Sequence, residues 1–87
     1  YSQTMTKRIG TTRWTSPEVL VGGHYTEKSD VYSFGMILYE IFSGNVPFFE
    51  EMWDSKVEEQ IIAGSRPDIP QSTPPMFEEL MRACWSS

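Results

Sequence analysis

Cysteine and histidine are nearly absent: Cys84 and His24 stand alone among 87 residues. A single cysteine excludes an internal disulfide and a cysteine-based zinc cage. His24, beside Gly22 and Gly23, offers a metal no second imidazole, so no metal site is expected. No apolar run approaches the roughly 18 residues that span a membrane, and no basic-then-apolar leader opens the chain. Basic residues are scarce too, seven Lys and Arg against 12 Asp and Glu, a net charge of −5. The basic charge gathers early: residues 1–13 hold Lys7, Arg8 and Arg13 and no acid, whereas all the acids lie in residues 14–87. Nucleic-acid binding needs a basic face to offset phosphate, and three cations on one short segment do not make one. These absences point to a cytoplasmic setting with neither a membrane nor a nucleic acid as partner.

What is present suits a folded chain. Hydrophobic residues make up 39% and aromatics 14%, too much for disorder driven by low hydrophobicity. The chain opens on Tyr1 rather than Met, and its last helical pattern reaches Ser87 without a stop signal. A piece of a longer protein is therefore expected.

The pattern is mainly α, with three main helices joined by loops. Ser2, Thr4, Thr6, Thr11 and Thr12 crowd a basic opening loop, whose composition fits equally a solvated polar terminus and a loop whose added phosphate meets Arg8 or Arg13. Pro17 suits the first position of a helical turn, and Gly22-Gly23 breaks the chain. Residues 29–43 form the strongest helix, with Ser29 and Asp30 offering cap oxygens and negative charge at its start. Val31, Phe34, Leu38 and Ile41 share one face, yet Tyr32, Met36, Ile37, Tyr39 and Phe42 make the helix apolar nearly all round, as in a helix buried inside a larger body. Gly44 suits the C-cap and Pro47 stops continuation. Residues 50–63 read as an acidic amphipathic helix with Trp53, Val57 and Ile61 on its stripe, ended by Gly64. Four prolines make residues 65–75 an extended linker. Residues 75–85 form the last helix, capped by Thr73 or Ser72, with Phe77, Leu80, Met81, Cys84 and Trp85 as its stripe.

No catalytic constellation assembles from these residues. Cys84 falls on an apolar stripe and reads as a small core residue. The glutamate pairs 50/51, 58/59 and 78/79 are adjacent on helices and point apart, so they are solvated faces. Gly22-Gly23 lacks the spacing of a phosphate-cradling loop.

Gly10-Thr11-Thr12-Arg13-Trp14-Thr15-Ser16-Pro17-Glu18, followed by Ser29-Asp30-Val31-Tyr32-Ser33-Phe34-Gly35, resembles a eukaryotic protein kinase. The first block is similar to the end of the activation segment, with Ser-Pro-Glu for Ala-Pro-Glu. The second is similar to the start of the long central helix of the C-lobe. Gly64-Ser65-Arg66-Pro67 and Ala83-Cys84-Trp85 also fit, and the resemblance covers essentially the whole chain. Gly-Thr with Arg-Trp and a late Cys-Trp look most like the tyrosine-kinase-like group of serine/threonine kinases. The resemblance implies a partial kinase C-lobe over residues 1–87, with residues 1–18 as the activation-segment end and no complete N-lobe sheet. It implies that Gly10, Thr11, Thr12, Arg13 and Trp14 receive the protein substrate and that Thr11 supports the catalytic aspartate. It implies that Asp30 holds the catalytic loop, that Pro17 and Glu18 anchor the segment, and that Ser2, Thr4 and Thr6 are candidate phosphosites.

A kinase also needs a glycine-rich loop, a lysine–glutamate pair, a catalytic aspartate and a metal-binding aspartate. None of these motifs is present, and neither is the family arginine that pairs with the residue matching Glu18. MgATP is thus expected in the complete parent domain but not on this chain, whose partners are a protein substrate and the remaining kinase domain. Alone, the helices are expected to expose an apolar patch and either to self-associate or to need a partner. The alternative is a non-enzymatic, kinase-derived interaction module.

Overall fold

The computed structural model describes residues 12–86, and among them there are helices and no strand. A 3-10 turn, Thr12–Trp14, leads into α1 (Pro17–Leu20), α2 (Glu27–Ser43), α3 (Asp54–Ile62) and α4 (Pro75–Trp85). The mainly α architecture with three main helices, consistent with a partial C-lobe, is as the sequence implies. None of the described helices is long and apolar enough to cross a membrane.

α1 begins with Pro17 at its first turn, where the missing N–H costs nothing. α2 starts two residues earlier than the pattern suggests, because its cap is Thr26 rather than Ser29. The Thr26 hydroxyl accepts from the Lys28 N–H at 3.2 Å, and the Thr26 N–H donates to Ser29 Oγ at 3.1 Å. Ser29 is thus the third-position half of a reciprocal capping box. At the far end Gly44 adopts φ 75° and donates to the Glu40 carbonyl at 2.9 Å, the left-handed stop that glycine makes inexpensive.

The buried face of α2 is not the first stripe read from the sequence. Ser29, Tyr32, Gly35, Met36, Leu38 and Tyr39 are buried, whereas Val31, Phe34, Ile37 and Ile41 remain 46–68% exposed. Helical periodicity identifies stripes on an all-round apolar helix but does not say which one the neighbours cover. Gly35 decides it. It lies directly beneath Cys84 and Trp85 of α4, so close that a Cβ there would sit 2.7 Å from Cys84 Cβ. Phe42 and Phe77 extend the contact, their ring centroids 4.9 Å apart. Met36, Val57, Ile61 and Met81 are fully buried and join α2, α3 and α4 in one core.

α3 begins at Asp54, not at residue 50. Pro47 is buried, Phe48 takes φ 57°, and the Glu51 N–H closes a turn onto the Phe48 carbonyl at 2.9 Å. Trp53 is therefore an extended cap residue, 60% exposed and off the expected stripe, while Val57 and Ile61 keep theirs. In α4, Pro74 occupies the cap and Pro75 the first turn, with no side-chain cap from Thr73 or Ser72. Met81, Cys84 and Trp85 are buried, but Leu80 is exposed.

Arg66, in the extended linker, ties the helix ends together. Its Nε donates to the Trp85 carbonyl at 3.2 Å, its Nη1 donates to Ser65 O at 2.8 Å, and the guanidinium lies 5.1 Å from the Tyr32 ring centroid. A cation at the carbonyl end of α4 offsets the partial negative charge there.

Candidate functional site

The turn Thr12–Trp14 is built as a bridge between α2 and the α2–α3 loop. Trp14 is half-buried, and a half-buried indole N–H needs an acceptor. Its Nε1 donates to Glu40 Oε1 on α2 at 2.7 Å. The Trp14 carbonyl accepts from Ser33 Oγ at 2.7 Å, also on α2. Trp14 is thus held at both its side chain and its backbone by one helix.

Arg13 faces the other way. Its Nε donates to Asp54 Oδ1 at 3.0 Å, at the start of α3. Its Nη1 donates to the carbonyls of Pro47 at 3.1 Å and Phe48 at 2.7 Å, and its Nη2 donates to that of Glu51 at 2.6 Å. The left-handed Phe48 turns two successive carbonyls toward the same nitrogen. All three guanidinium nitrogens are engaged, and the side chain is only 12% exposed. Among the described residues these donors serve the α2–α3 loop and the start of α3, while residues 1–11 of the opening loop, where an added phosphate would meet Arg8 or Arg13, lie outside the described residues. A planar fork can satisfy several carbonyls at once, as an ammonium cannot.

Four residues beyond the turn, Glu18 accepts from Ser29 Oγ at 3.1 Å. Burial works to raise its pKa. Hydrogen bonds from its own backbone N–H and from Ser29, with Lys28 nearby, outweigh that and hold the carboxyl below its ordinary value. Glu18 thus has partners close by, at the start of α2. Asp30, exposed on α2, accepts from the Tyr25 hydroxyl.

Glu18 also edges a cavity of about 290 Å³ shared with Lys28, Tyr32, Arg66 and Trp85. The Tyr32 hydroxyl is buried without a partner. Burial pushes its pKa up to about 12, with Glu18 adding to the shift and Arg66 opposing it. Burial likewise raises the Cys84 thiol, which suits a core residue rather than a nucleophile. Among the described residues no group of three His, Cys, Asp or Glu side chains is placed to hold a metal ion.

Of the residues singled out in the sequence, Thr12, Arg13 and Trp14 come together in the turn, and Pro17 and Glu18 stand beside the start of α2. Gly10 and Thr11, with the candidate phosphosites Ser2, Thr4 and Thr6, lie outside the described residues. Glu40, Ser33 and Asp54 were not singled out. The only signal for them is the need of a tryptophan and an arginine for acceptors, which fixes no partner position.

The family model for protein tyrosine and serine/threonine kinase matches residues 1–87. A cyclic GMP-binding protein C from Dictyostelium discoideum is 50% identical over 76 residues, covering 84% of this chain and 3% of the relative. A probable serine/threonine-protein kinase, roco7, from the same organism is 39% identical over 84 residues, covering 92% of this chain and 3% of its own length. A light-sensor protein kinase from Ceratodon purpureus is 39% identical over 92 residues, covering 88% of this chain and 7% of its own. The chain spans 3–7% of the length of these relatives.

Proposed function

The chain belongs to the protein tyrosine and serine/threonine kinase family, and from that membership we propose that it is the substrate-receiving and core-helix segment of a serine/threonine kinase C-lobe. The observation that carries the reading is the double tether of Thr12–Trp14, through Trp14 to α2 and through Arg13 to the α2–α3 loop. A loop that presents a protein hydroxyl for transfer has to be held still, because phosphoryl transfer depends on positioning and charge neutralisation rather than on covalent chemistry by the protein.

In the parent domain the reaction is transfer of the ATP γ-phosphate to a protein hydroxyl. Gly10 to Trp14 receive the substrate there, and Thr11 supports the catalytic aspartate. Asp30 steadies the catalytic loop, Pro17 and Glu18 anchor the segment, and Ser2, Thr4 and Thr6 are the phosphosites. The likeness of Gly10-Thr11, Arg13-Trp14 and Cys84-Trp85 to that group supports reading the parent as one of the tyrosine-kinase-like kinases.

MgATP belongs to the complete domain of this family. The donor set here does not fit it: the 87 residues carry no glycine-rich phosphate loop, and the described acids do not converge on a metal position. We assign no step through MgATP to this chain. The exposed Val31, Phe34, Ile37 and Ile41 face of α2 is instead suited to the rest of the domain.

The test is labelled phosphate transfer from ATP by a complete domain carrying this segment, beside the 87-residue chain. Label on serine or threonine from the former and none from the latter is expected. Label on tyrosine alone, or transfer by the chain itself, overturns the reading.

A further inference from the structure

We propose that the α2–α3 loop and the start of α3 dock a protein segment in which a large apolar residue is flanked by lysine or arginine. Four large apolar side chains stand out from eight consecutive positions: Val46, Phe49, Met52 and Trp53 are 41%, 49%, 77% and 60% exposed. Scattered apolar residues on a surface need no explanation, but this density in one short segment is a patch.

The backbone beneath the patch is fixed. Arg13 grips the carbonyls of Pro47, Phe48 and Glu51. Pro47 is buried, and Phe48 packs against the core. The Trp53 N–H donates to the Glu51 carboxylate at 3.1 Å. Trp53 and Met52 are therefore presented from a rigid base, which removes much of the ordering cost of binding. Tryptophan is the commonest anchor in such interfaces, and methionine adapts to varied apolar shapes.

Charge selects the occupant. Residues 46–59 carry Glu50, Glu51, Asp54, Glu58 and Glu59, against Lys56 alone. Arg13 neutralises Asp54 but leaves the other four acids. A second copy of this chain docking by the same patch brings those acids face to face, which a two-fold interface cannot avoid. An anionic membrane or a nucleic acid meets the same repulsion. A basic, apolar protein segment gains from both features at once.

Binding is read without ATP, so its failure is distinguishable from failure of the kinase reading. The experiment titrates the 87-residue chain with two peptides of identical apolar core, one flanked by lysines and one by glutamates. Readouts are tryptophan fluorescence and calorimetry, and Trp53 is the exposed indole because Trp14 is half-buried and Trp85 buried. The lysine peptide is expected to bind at least about tenfold tighter than the glutamate peptide at low salt, with the preference shrinking as salt rises. Trp53→Ser is expected to weaken it about tenfold or more, and Met52→Ser, at the most exposed position, serves if the first variant is misfolded. Glu50→Lys with Glu51→Lys is expected to reverse the preference. Equal affinity for the two peptides, no saturation by either, or unchanged affinity in the folded Trp53 or Met52 variant overturns the proposal. So does self-association that Trp53→Ser abolishes, which makes the occupant a second copy.

Discussion

Replacing Gly35 by alanine tests the contact on which the core depends. The added Cβ would stand 2.7 Å from Cys84 Cβ and Trp85 Nε1 and 2.9 Å from Trp85 Cδ1. Carbon atoms rest at about 3.5–4.0 Å, so the shortfall is close to an ångström. Neither neighbour can swing away. Cys84 Cβ is one bond from the backbone, and the Trp85 ring is only 4% exposed. Both belong to α4, so the helix has to shift as a body and carry buried Met81 with it. Overpacking of this kind costs about 3 kcal/mol at the upper end of its range. The change returns about 1 kcal/mol because alanine is the better helix former. The net expectation is a loss of about 2 kcal/mol, or about 8–16 °C in melting temperature for a chain of this size. Urea unfolding followed by circular dichroism measures it. Gly64→Ala provides the contrast, since φ is 102° there and nothing lies within 4 Å of the new Cβ; its loss of about 1 kcal/mol comes from backbone strain alone. A Gly35→Ala chain as stable as the parent would refute the close crossing of α2 and α4.

Arg13→Met removes a donor shared by three carbonyls and Asp54, leaving the Phe48 carbonyl only the Glu51 N–H, and is expected to cost about 2 kcal/mol, with faster amide exchange across residues 48–54; Arg13→Lys should not restore protection, since an ammonium cannot fork to all of them. Tyr32 ionises at about 12 when folded against 10.0 ordinarily. The fold prefers the neutral phenol, so its contribution is intact below pH 10 and falls as pH rises toward 12, by about 3 kcal/mol at most. Tyr32→Phe should remove that alkaline loss in urea titrations and cost little near neutrality, because the hydroxyl has no partner to lose. Glu18 has its pKa lowered in the fold, so its stabilisation is present above the ordinary carboxyl value of about 4.3 and disappears as pH falls through the lower folded value. The difference in thermal midpoint between the parent and Glu18→Gln should therefore narrow on acidification.

Features set by one residue and its immediate neighbours were legible in the sequence. Gly44 ends α2 in the left-handed conformation, Pro75 opens α4, and Met81, Cys84 and Trp85 form a buried stripe. Features that depend on a distant partner were not. Ser29 looked like a cap because its chemistry is that of one, and Thr26, three residues earlier, has the same chemistry and the better position. The start of α3 moved because Phe48 adopts a conformation unusual for a phenylalanine, and no local propensity announces it. At the site, the grouping of Thr12, Arg13 and Trp14 followed from their adjacency. The work of Arg13 did not, because three of its four acceptors are backbone carbonyls 34 to 38 positions away. Carbonyls leave no residue-type signal.

The face of α2 that the sequence placed first carries the larger lesson. Periodicity assigns Val31, Phe34, Leu38 and Ile41 to one stripe, and within this chain only Leu38 of the four is buried. A helix does not hold Val31, Phe34, Ile37 and Ile41 about half in water at no cost: fully burying such a side chain is worth about 1.5–3 kcal/mol, and each forgoes roughly half of that. Local propensity, capping and the opposite face all agree on this helix, so the disagreement is confined to one side of it. Such a confined conflict is what a functional surface produces. The same side bears Asp30, whose carboxylate accepts from the nearby Tyr25 hydroxyl. Apolar stripe and acid lie together on that side, as the proposed role of α2 as a core helix of a larger domain requires. The other side, closed at Gly35, keeps α2 and α4 together while that surface waits. The closed face and the exposed face of one helix thus differ in what covers them within the described residues, and the proposed C-lobe reading is tested at the exposed one.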